Sequence, residues 1–101
     1  MNVTDYVLFL TYDTRYRVWF EVEKGKVLQF VVQLEILEGD KWIPVVRYDT
    51  AHGFAHRDRY KADGAVSHHE MLPVSEYQEA LTFAIRDVRL NWEDWIYQYR
   101  E

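Results

Sequence analysis

The stretch YRVWFEVEKGKVLQFVVQLEI, residues 16–36, decides the fold because two alternating runs of apolar and polar residues flank a single glycine. In the first run four large apolar side chains share one face: Tyr16, Val18, Phe20 and Val22. In the second run five share one face: Leu28, Phe30, Val32, Leu34 and Ile36. Strict alternation is typical of a strand that buries one face, and Gly25 lets the chain reverse between the runs. The stretch therefore predicts a β-hairpin.

Further strands are predicted on both sides of this hairpin. The segment WIPVVRYDT, residues 42–50, follows the turn EGDK, and FAHRDRYK, residues 54–61, follows Gly53. Pro44 has no backbone N–H to donate, so the third strand either lies at a sheet edge there or begins after it. The segment DYVLFLTY, residues 5–12, can add a fifth strand.

The periodicity changes after Pro73, where apolar residues recur every three or four positions. Ser75 followed by Gln78 three residues later forms a capping box, which marks the amino end of a helix. One broad apolar face forms from Tyr77, Ala80, Leu81, Ala84, Ile85, Val88, Trp92, Trp95, Ile96 and Tyr99. This pattern predicts a helix over roughly residues 75–100, with the apolar face against the sheet.

These elements predict an α+β fold, in which an antiparallel β-meander of four to five strands packs against one long C-terminal α-helix. The strands are expected within residues 4–61. A chain of 101 residues is long enough for one modest core, so residues 1–101 are expected to form a single domain.

Three apolar residues recur at intervals of seven on the other side of the predicted helix: Phe83, Leu90 and Tyr97. Two explanations are open. Either another part of the chain or a break near Asn91 covers these side chains, or they form a seam that contacts a second copy of the chain or a partner protein.

The composition favours a soluble cytoplasmic protein. Cysteine is absent, which excludes a disulfide framework and a thiolate metal site. No apolar run is long enough to cross a membrane, and the amino end has no basic lead typical of a signal peptide. The net charge of −5 disfavours non-specific binding of nucleic acid. Only residues 39–69, with five Lys and Arg against four Asp and Glu and all four histidines, are expected to meet an anionic ligand.

The stretch RYDTAHGFAHRD, residues 47–58, concentrates groups suited to metal-independent cleavage of RNA. Cleavage by the RNA's own 2′-hydroxyl needs a base, an acid and a cation that holds charge on the phosphate. Histidine can act as base or acid near neutral pH, and a guanidinium binds two phosphate oxygens. The candidate catalytic residues are His52 and His56 as the acid–base pair, Arg47 and Arg57 as phosphate clamps, and Tyr48 or Asp49 to orient them.

The strand period decides which of these groups can meet. Alternation after Gly53 places one set of side chains on one face, namely His56, Asp58 and Tyr60. It places a second set on the other face, namely Arg57, Arg59 and Lys61. In the alternative interpretation the arginines and aspartates of adjacent strands only form cross-strand ion pairs, each contributing roughly a few tenths of a kcal/mol.

The four histidines also raise the alternative of a metal site. His52, His56, His68 and His69 can gather around one ion if the turn KADG folds the second pair back on the first. Two histidines four residues apart are also found in zinc proteases, but Gly53 stands where that pattern needs a glutamate. A protease is therefore excluded, and the leading hypothesis needs no cofactor.

RYDTAHGFAHRDRY together with FVVQLEILEGDKWIPVVRYDT resembles a family of small uncharacterised prokaryotic domains of unknown function, over residues 16–97. The order Arg-Tyr-Asp, then His-Gly, then His is also similar to that of the TumE-like toxins of toxin–antitoxin pairs. This second resemblance covers only the core from Tyr48 to His56. This second resemblance implies an RNA-directed toxin held inactive by an antitoxin or another protein partner. The alternative function is a non-catalytic interaction domain that forms a homodimer or partner complex through the C-terminal helix.

Overall fold

The computed structural model describes residues 1–101 as one antiparallel sheet followed by one α-helix. The strands are β1 (Asn2–Thr11), β2 (Thr14–Glu23), β3 (Lys26–Glu38), β4 (Lys41–Asp49), β5 (His56–Tyr60) and β6 (Val66–Met71). A single 3₁₀ turn, Ala51–Gly53, joins β4 to β5, and the helix α1 spans Tyr77–Tyr99. Each strand pairs with its neighbour in sequence, in the order β1-β2-β3-β4-β5-β6. The predicted α+β meander is confirmed in class, but the sheet has six strands.

The strand missing from the prediction is β6, which lies at one edge of the sheet beyond residue 61. Its sequence VSHHEM has no apolar alternation, and most of its side chains are exposed. An edge strand of this kind buries little, so backbone pairing with β5 holds it in place rather than side-chain burial. At the opposite edge, the fifth strand expected at residues 5–12 is present as β1.

The core lies between one face of the sheet and α1. The β2–β3 hairpin contributes six side chains with at most 1% of their surface exposed: Tyr16, Val18, Phe30, Val32, Leu34 and Ile36. The helix contributes three that are fully buried: Ala80, Ala84 and Val88. These residues belong to the faces that the hairpin and the helical pattern predicted, since both periodicities bring apolar groups to the shared interface.

The helix begins two residues later than predicted, and its cap is Glu76 rather than Ser75. The Glu76 carboxylate accepts a hydrogen bond of 2.6 Å from the backbone N–H of Gln78. A carboxylate at this position also interacts favourably with the positive end of the helix dipole. The charged acceptor one residue further along the chain therefore replaces the predicted serine hydroxyl.

A polar junction around Asp87 ties α1 to β4 and β5. The Asp87 Oδ2 atom accepts hydrogen bonds from the Tyr48 hydroxyl at 2.7 Å and from Arg57 Nη1 at 2.8 Å. Asn91 Nδ2 donates to the other oxygen at 2.8 Å. Burial and the neighbouring Asp87 charge raise the pKa of Tyr48 far above its usual range, so its hydroxyl remains a donor.

Arg57 is held by a second set of contacts on the same face of the sheet. Its Nε atom lies 3.2 Å from Glu70 Oε1 on β6, and its guanidinium lies 4.8 Å from the Trp95 ring centroid. Burial raises the pKa of Glu70, but the hydrogen bond from Arg57 and the charges of Arg57 and Arg59 outweigh it and lower that pKa. Arg57 and Glu70 therefore both remain charged beneath α1.

The opposite side of the sheet has no helix over it, and we call it the helix-free face. Cross-strand partners share a face, and one row of partners runs across this side as Arg17, Gln33, Arg47, Asp58 and His69. The sheet therefore has a covered face and an open one. No helix in the structure has the length and apolar character needed to cross a membrane.

The helix is continuous, so no break near Asn91 covers its outer apolar residues. Phe83 packs partly against the core. Leu90 and Tyr97 remain 73% and 69% exposed. The predicted seam therefore consists of two solvent-facing side chains two helical turns apart.

Replacing Asp87 with alanine is expected to lower the free energy of unfolding by about 2–4 kcal/mol, because Arg57 and Tyr48 would lose a buried acceptor. Urea unfolding followed by circular dichroism measures the change. Asp94→Ala, at an exposed position of the same helix, is the control and should change stability by less than about 0.5 kcal/mol. Equal stability of the two variants would contradict a structural role for the junction.

Candidate functional site

The six predicted catalytic residues are divided between the two faces of the sheet. Tyr48 is opposite Arg57 in the pairing of β4 with β5, and both face α1. Asp49 is opposite His56 and Arg47 is opposite Asp58, on the helix-free face. The structure thus brings Arg47, Asp49, His52 and His56 together, and it places Tyr48 and Arg57 in the junction with α1. Convergence of all six residues does not occur, because successive residues of a strand point to opposite faces.

His56 is the most deeply buried of the histidines, with 2% of its surface exposed. Its Nδ1 atom lies 3.3 Å from the Phe54 carbonyl oxygen. Its Nε2 atom lies 2.9 Å from Asp49 Oδ1 and 3.6 Å from Asp58 Oδ2. Because both ring nitrogens face protein oxygens and solvent is excluded, His56 is suited to organising neighbouring groups rather than to touching a substrate.

Asp49 is fixed from three directions. Arg47 Nε donates to Asp49 Oδ2 at 2.6 Å, and the backbone N–H of Ala51 donates to Asp49 Oδ1 at 3.0 Å. His56 approaches the same Oδ1 atom. Arg47 is held in turn, since its Nη1 atom donates to Gln33 Oε1 at 3.1 Å, yet 38% of its side chain stays exposed. The guanidinium is therefore both positioned and open to solvent.

One accessible imidazole of the site belongs to His69 on β6, which the catalytic prediction did not include. Its side chain is 49% exposed, its Nδ1 atom is hydrogen-bonded to Asp58 Oδ1, and its ring centroid lies 4.6 Å from that of His56. The turn from Lys61 to Ala65 sets the register of β6 against β5, in which His69 stands opposite Asp58. Asp58 therefore lies between two imidazoles, one buried and one open.

The remaining two histidines occupy different surroundings. His52 sits in the 3₁₀ turn with φ of 70°, is exposed, and places its ring centroid 6.2 Å from that of His56. Left-handed backbone is uncommon for a residue with a side chain, although histidine tolerates it better than most. His68 is paired with Arg59 and contacts Ser67 through Nδ1 at 3.0 Å. Alternation directs His68 to the face opposite His69.

The predicted gathering of four histidines is therefore found only in part. The turn brings His69, but not His68, back onto His56, and Asp58 completes the group. His56, Asp58 and His69 each offer one ligand atom, and these atoms lie within 4.8 Å of one another. The sequence contains a signal for the pairing of Asp58 with His69. The position of the turn at Gly64 determines whether His68 or His69 stands opposite Asp58.

Replacing His56 with alanine is expected to lower the free energy of unfolding by about 1–3 kcal/mol, because Asp49 would lose a buried partner and a cavity would form. His68→Ala removes an exposed imidazole from the neighbouring strand and should cost less than about 0.5 kcal/mol. Urea midpoints of both variants give the comparison. A His56 variant as stable as the His68 variant would show that the buried imidazole does not support the site.

The chain was compared with known families, curated proteins and solved structures. The model of the family described as Domain of unknown function (DUF7718) matches residues 1–101. Neither the curated proteins nor the solved structures gave a match. The family match is consistent with the resemblance to an uncharacterised domain, and it assigns no chemistry to the site.

Proposed function

Because the chain belongs to DUF7718, a domain family of unknown function, its activity has to be inferred from its own site, and we propose that it is a toxin-like endoribonuclease. The observation that carries the proposal is the His69–Asp58 pair, an open imidazole held by a carboxylate beside the exposed guanidinium of Arg47. The resemblance of the RYDTAHGFAH segment to TumE-like toxins supports the same substrate class.

The base of the proposed reaction is His69. In the neutral ring, Nδ1–H donates to Asp58 and Nε2 carries the lone pair on the side away from that carboxylate. A carboxylate that holds one nitrogen fixes the tautomer and orientation of the ring, as in other histidine–aspartate pairs. His69 Nε2 therefore accepts the proton of the RNA 2′-hydroxyl.

The proposed acid is His52, whose ring centroid lies 6.2 Å from that of His56, and the phosphate-binding cation is Arg47. The 2′-oxygen attacks phosphorus, the bond from phosphorus to the 5′-oxygen breaks, and His52 gives a proton to the departing oxygen. The products are a 2′,3′-cyclic phosphate and a 5′-hydroxyl, so no metal ion or redox partner is required. Arg47 holds the phosphate oxygens as negative charge develops on them.

The other predicted residues act indirectly in this proposal. His56 and Asp49 position Arg47 and Asp58, with which they are in direct or shared contact. Tyr48 and Arg57 hold the helix on the sheet and do not touch RNA. In the toxin role the chain acts in the cytoplasm, and an antitoxin or another protein partner holds it inactive.

RNA cleavage is expected from the purified wild-type chain in the presence of EDTA, and His69→Ala should reduce its rate by about 10²–10⁴-fold. His68→Ala is the matched control, since it removes the adjacent imidazole from the opposite face. Electrophoresis of a labelled single-stranded RNA gives the rates, and the cyclic phosphate end identifies the reaction. Equal cleavage by the wild type and the His69 variant, or none by either, would rule out the proposal.

A second candidate function is an interaction domain that forms a homodimer or a partner complex through α1. The observation that favours it is the exposure of Leu90 and Tyr97 on the outer side of the helix, together with the partly packed Phe83. Large apolar side chains that recur on one exposed stripe are typical of a helix that packs against another chain. This role is compatible with a toxin that needs a partner.

If Leu90 and Tyr97 form a homodimer interface, Leu90→Asp should convert a dimer into a monomer, since a carboxylate would be buried without a partner. Light scattering after gel filtration, over a range of protein concentrations, measures the mass of both proteins. A wild type that stays monomeric at every concentration would remove the homodimer version and leave only a partner complex.

A further inference from the structure

We propose that His56, Asp58 and His69 form a binding site for a divalent transition-metal ion on the helix-free face. The three residues supply two imidazole nitrogens and one carboxylate, a donor set typical of zinc, iron(II) and related ions. Magnesium and calcium prefer oxygen ligands alone, so the two imidazoles direct the choice to transition metals.

The spacing of the ligand atoms fits a small ion. Each ligand atom lies about 2.0–2.2 Å from a bound Zn²⁺, so two ligands of one ion in tetrahedral geometry are about 3.4 Å apart. His56 Nε2 and Asp58 Oδ2 are 3.6 Å apart, and the three ligand atoms all lie within 4.8 Å of one another. His69 Nδ1 and Asp58 Oδ1 are hydrogen-bonded at 2.5 Å, so closure around an ion requires that this contact opens by about 1 Å.

The buried imidazole is already turned toward the ion. His56 Nδ1 faces the Phe54 carbonyl oxygen, and this contact leaves Nε2 as the nitrogen that points at the carboxylates. Metal-binding histidines commonly donate their other ring N–H to a carbonyl in this way, which fixes the tautomer. A cation bound at Nε2 would replace a proton that this nitrogen shares with Asp49 and Asp58, so positive charge would still lie beside both carboxylates.

The surroundings hold the ligands and leave room for exchange. His56 and Asp58 are two residues apart on β5, and His69 stands opposite Asp58 on β6, so two paired strands fix all three. Asp49, tied to Arg47 and to the Ala51 N–H, adds negative charge beside His56. The exposed side of His69 gives an entry path and open positions for water.

Metal binding has a consequence that rests on the proposed ribonuclease function. A metal ion on His69 Nδ1 would take the nitrogen that donates to Asp58 and would fix the proton on Nε2, the atom assigned as the base. The metal-bound ring can no longer accept the 2′-hydroxyl proton. The ion would therefore inhibit the metal-independent cleavage and act as a switch at the same site.

Binding is tested by titrating the untagged, EDTA-stripped full chain with Zn²⁺ in a calorimeter, and with Co²⁺ while recording its visible absorption. One Zn²⁺ per chain is expected, and His69→Ala and Asp58→Asn should each weaken binding by at least about 100-fold. His68→Ala should bind as the wild type does. Circular dichroism checks the fold of each variant, and His69 is exposed enough for its variant to remain folded.

No saturable binding by the wild type, or equal binding by the wild type and His69→Ala, would overturn the metal site. Measuring RNA cleavage with EDTA and with Zn²⁺ separates the two proposals. Cleavage in EDTA without any Zn²⁺ binding would reject the metal site and keep the ribonuclease. Zn²⁺ binding without cleavage under either condition would reject the ribonuclease and keep the metal site.

Discussion

The carboxylate of Asp87 is the contact on which the arrangement of this protein depends. It accepts hydrogen bonds from Tyr48 on β4 and Arg57 on β5, and so it fixes the helix over one face of the sheet. Leaving the partly buried Arg57 charge without Asp87 would be energetically costly. This ion pair therefore fixes the position of the helix on the sheet, in addition to the apolar contacts that hold it there. Because the helix covers that face, Arg47 and His69 on the opposite face keep part of their surface open to solvent.

The open face combines a chain of alternating carboxylates and imidazoles with one exposed guanidinium. Asp49, His56, Asp58 and His69 follow one another in contact, from the buried end to the solvent-exposed end. Such an arrangement can move protons or hold a cation, and these two uses compete for the same nitrogens. This competition links the proposed ribonuclease to the proposed metal site. The exposed guanidinium of Arg47 provides a local site for an anionic substrate on a chain that is acidic overall.

The fold was largely predictable because burial leaves a periodic trace in the sequence. Alternation in residues 16–36 predicted the hairpin, and the helical spacing after Pro73 predicted the apolar helix face. Strand β6 left no such trace because its side chains are mostly exposed and show no apolar alternation. The site was predictable only in part. Alternation placed His56 and Arg57 on opposite faces, but nothing local indicates which face the helix covers, since the Asp87 junction joins residues 30 and 39 positions apart. The predicted catalytic set therefore included Arg57 and Tyr48 beside the histidines and lacked His69.

The most direct test of this account is to map where a short single-stranded RNA that lacks reactive 2′-hydroxyls binds, using backbone amide NMR shifts. The account predicts that the largest shifts fall on the helix-free face, at Arg47, Asp58 and His69, and that Arg57, Asp87 and Trp95 shift little. Shifts concentrated on the helix side, or no shifts at saturating RNA, would contradict it.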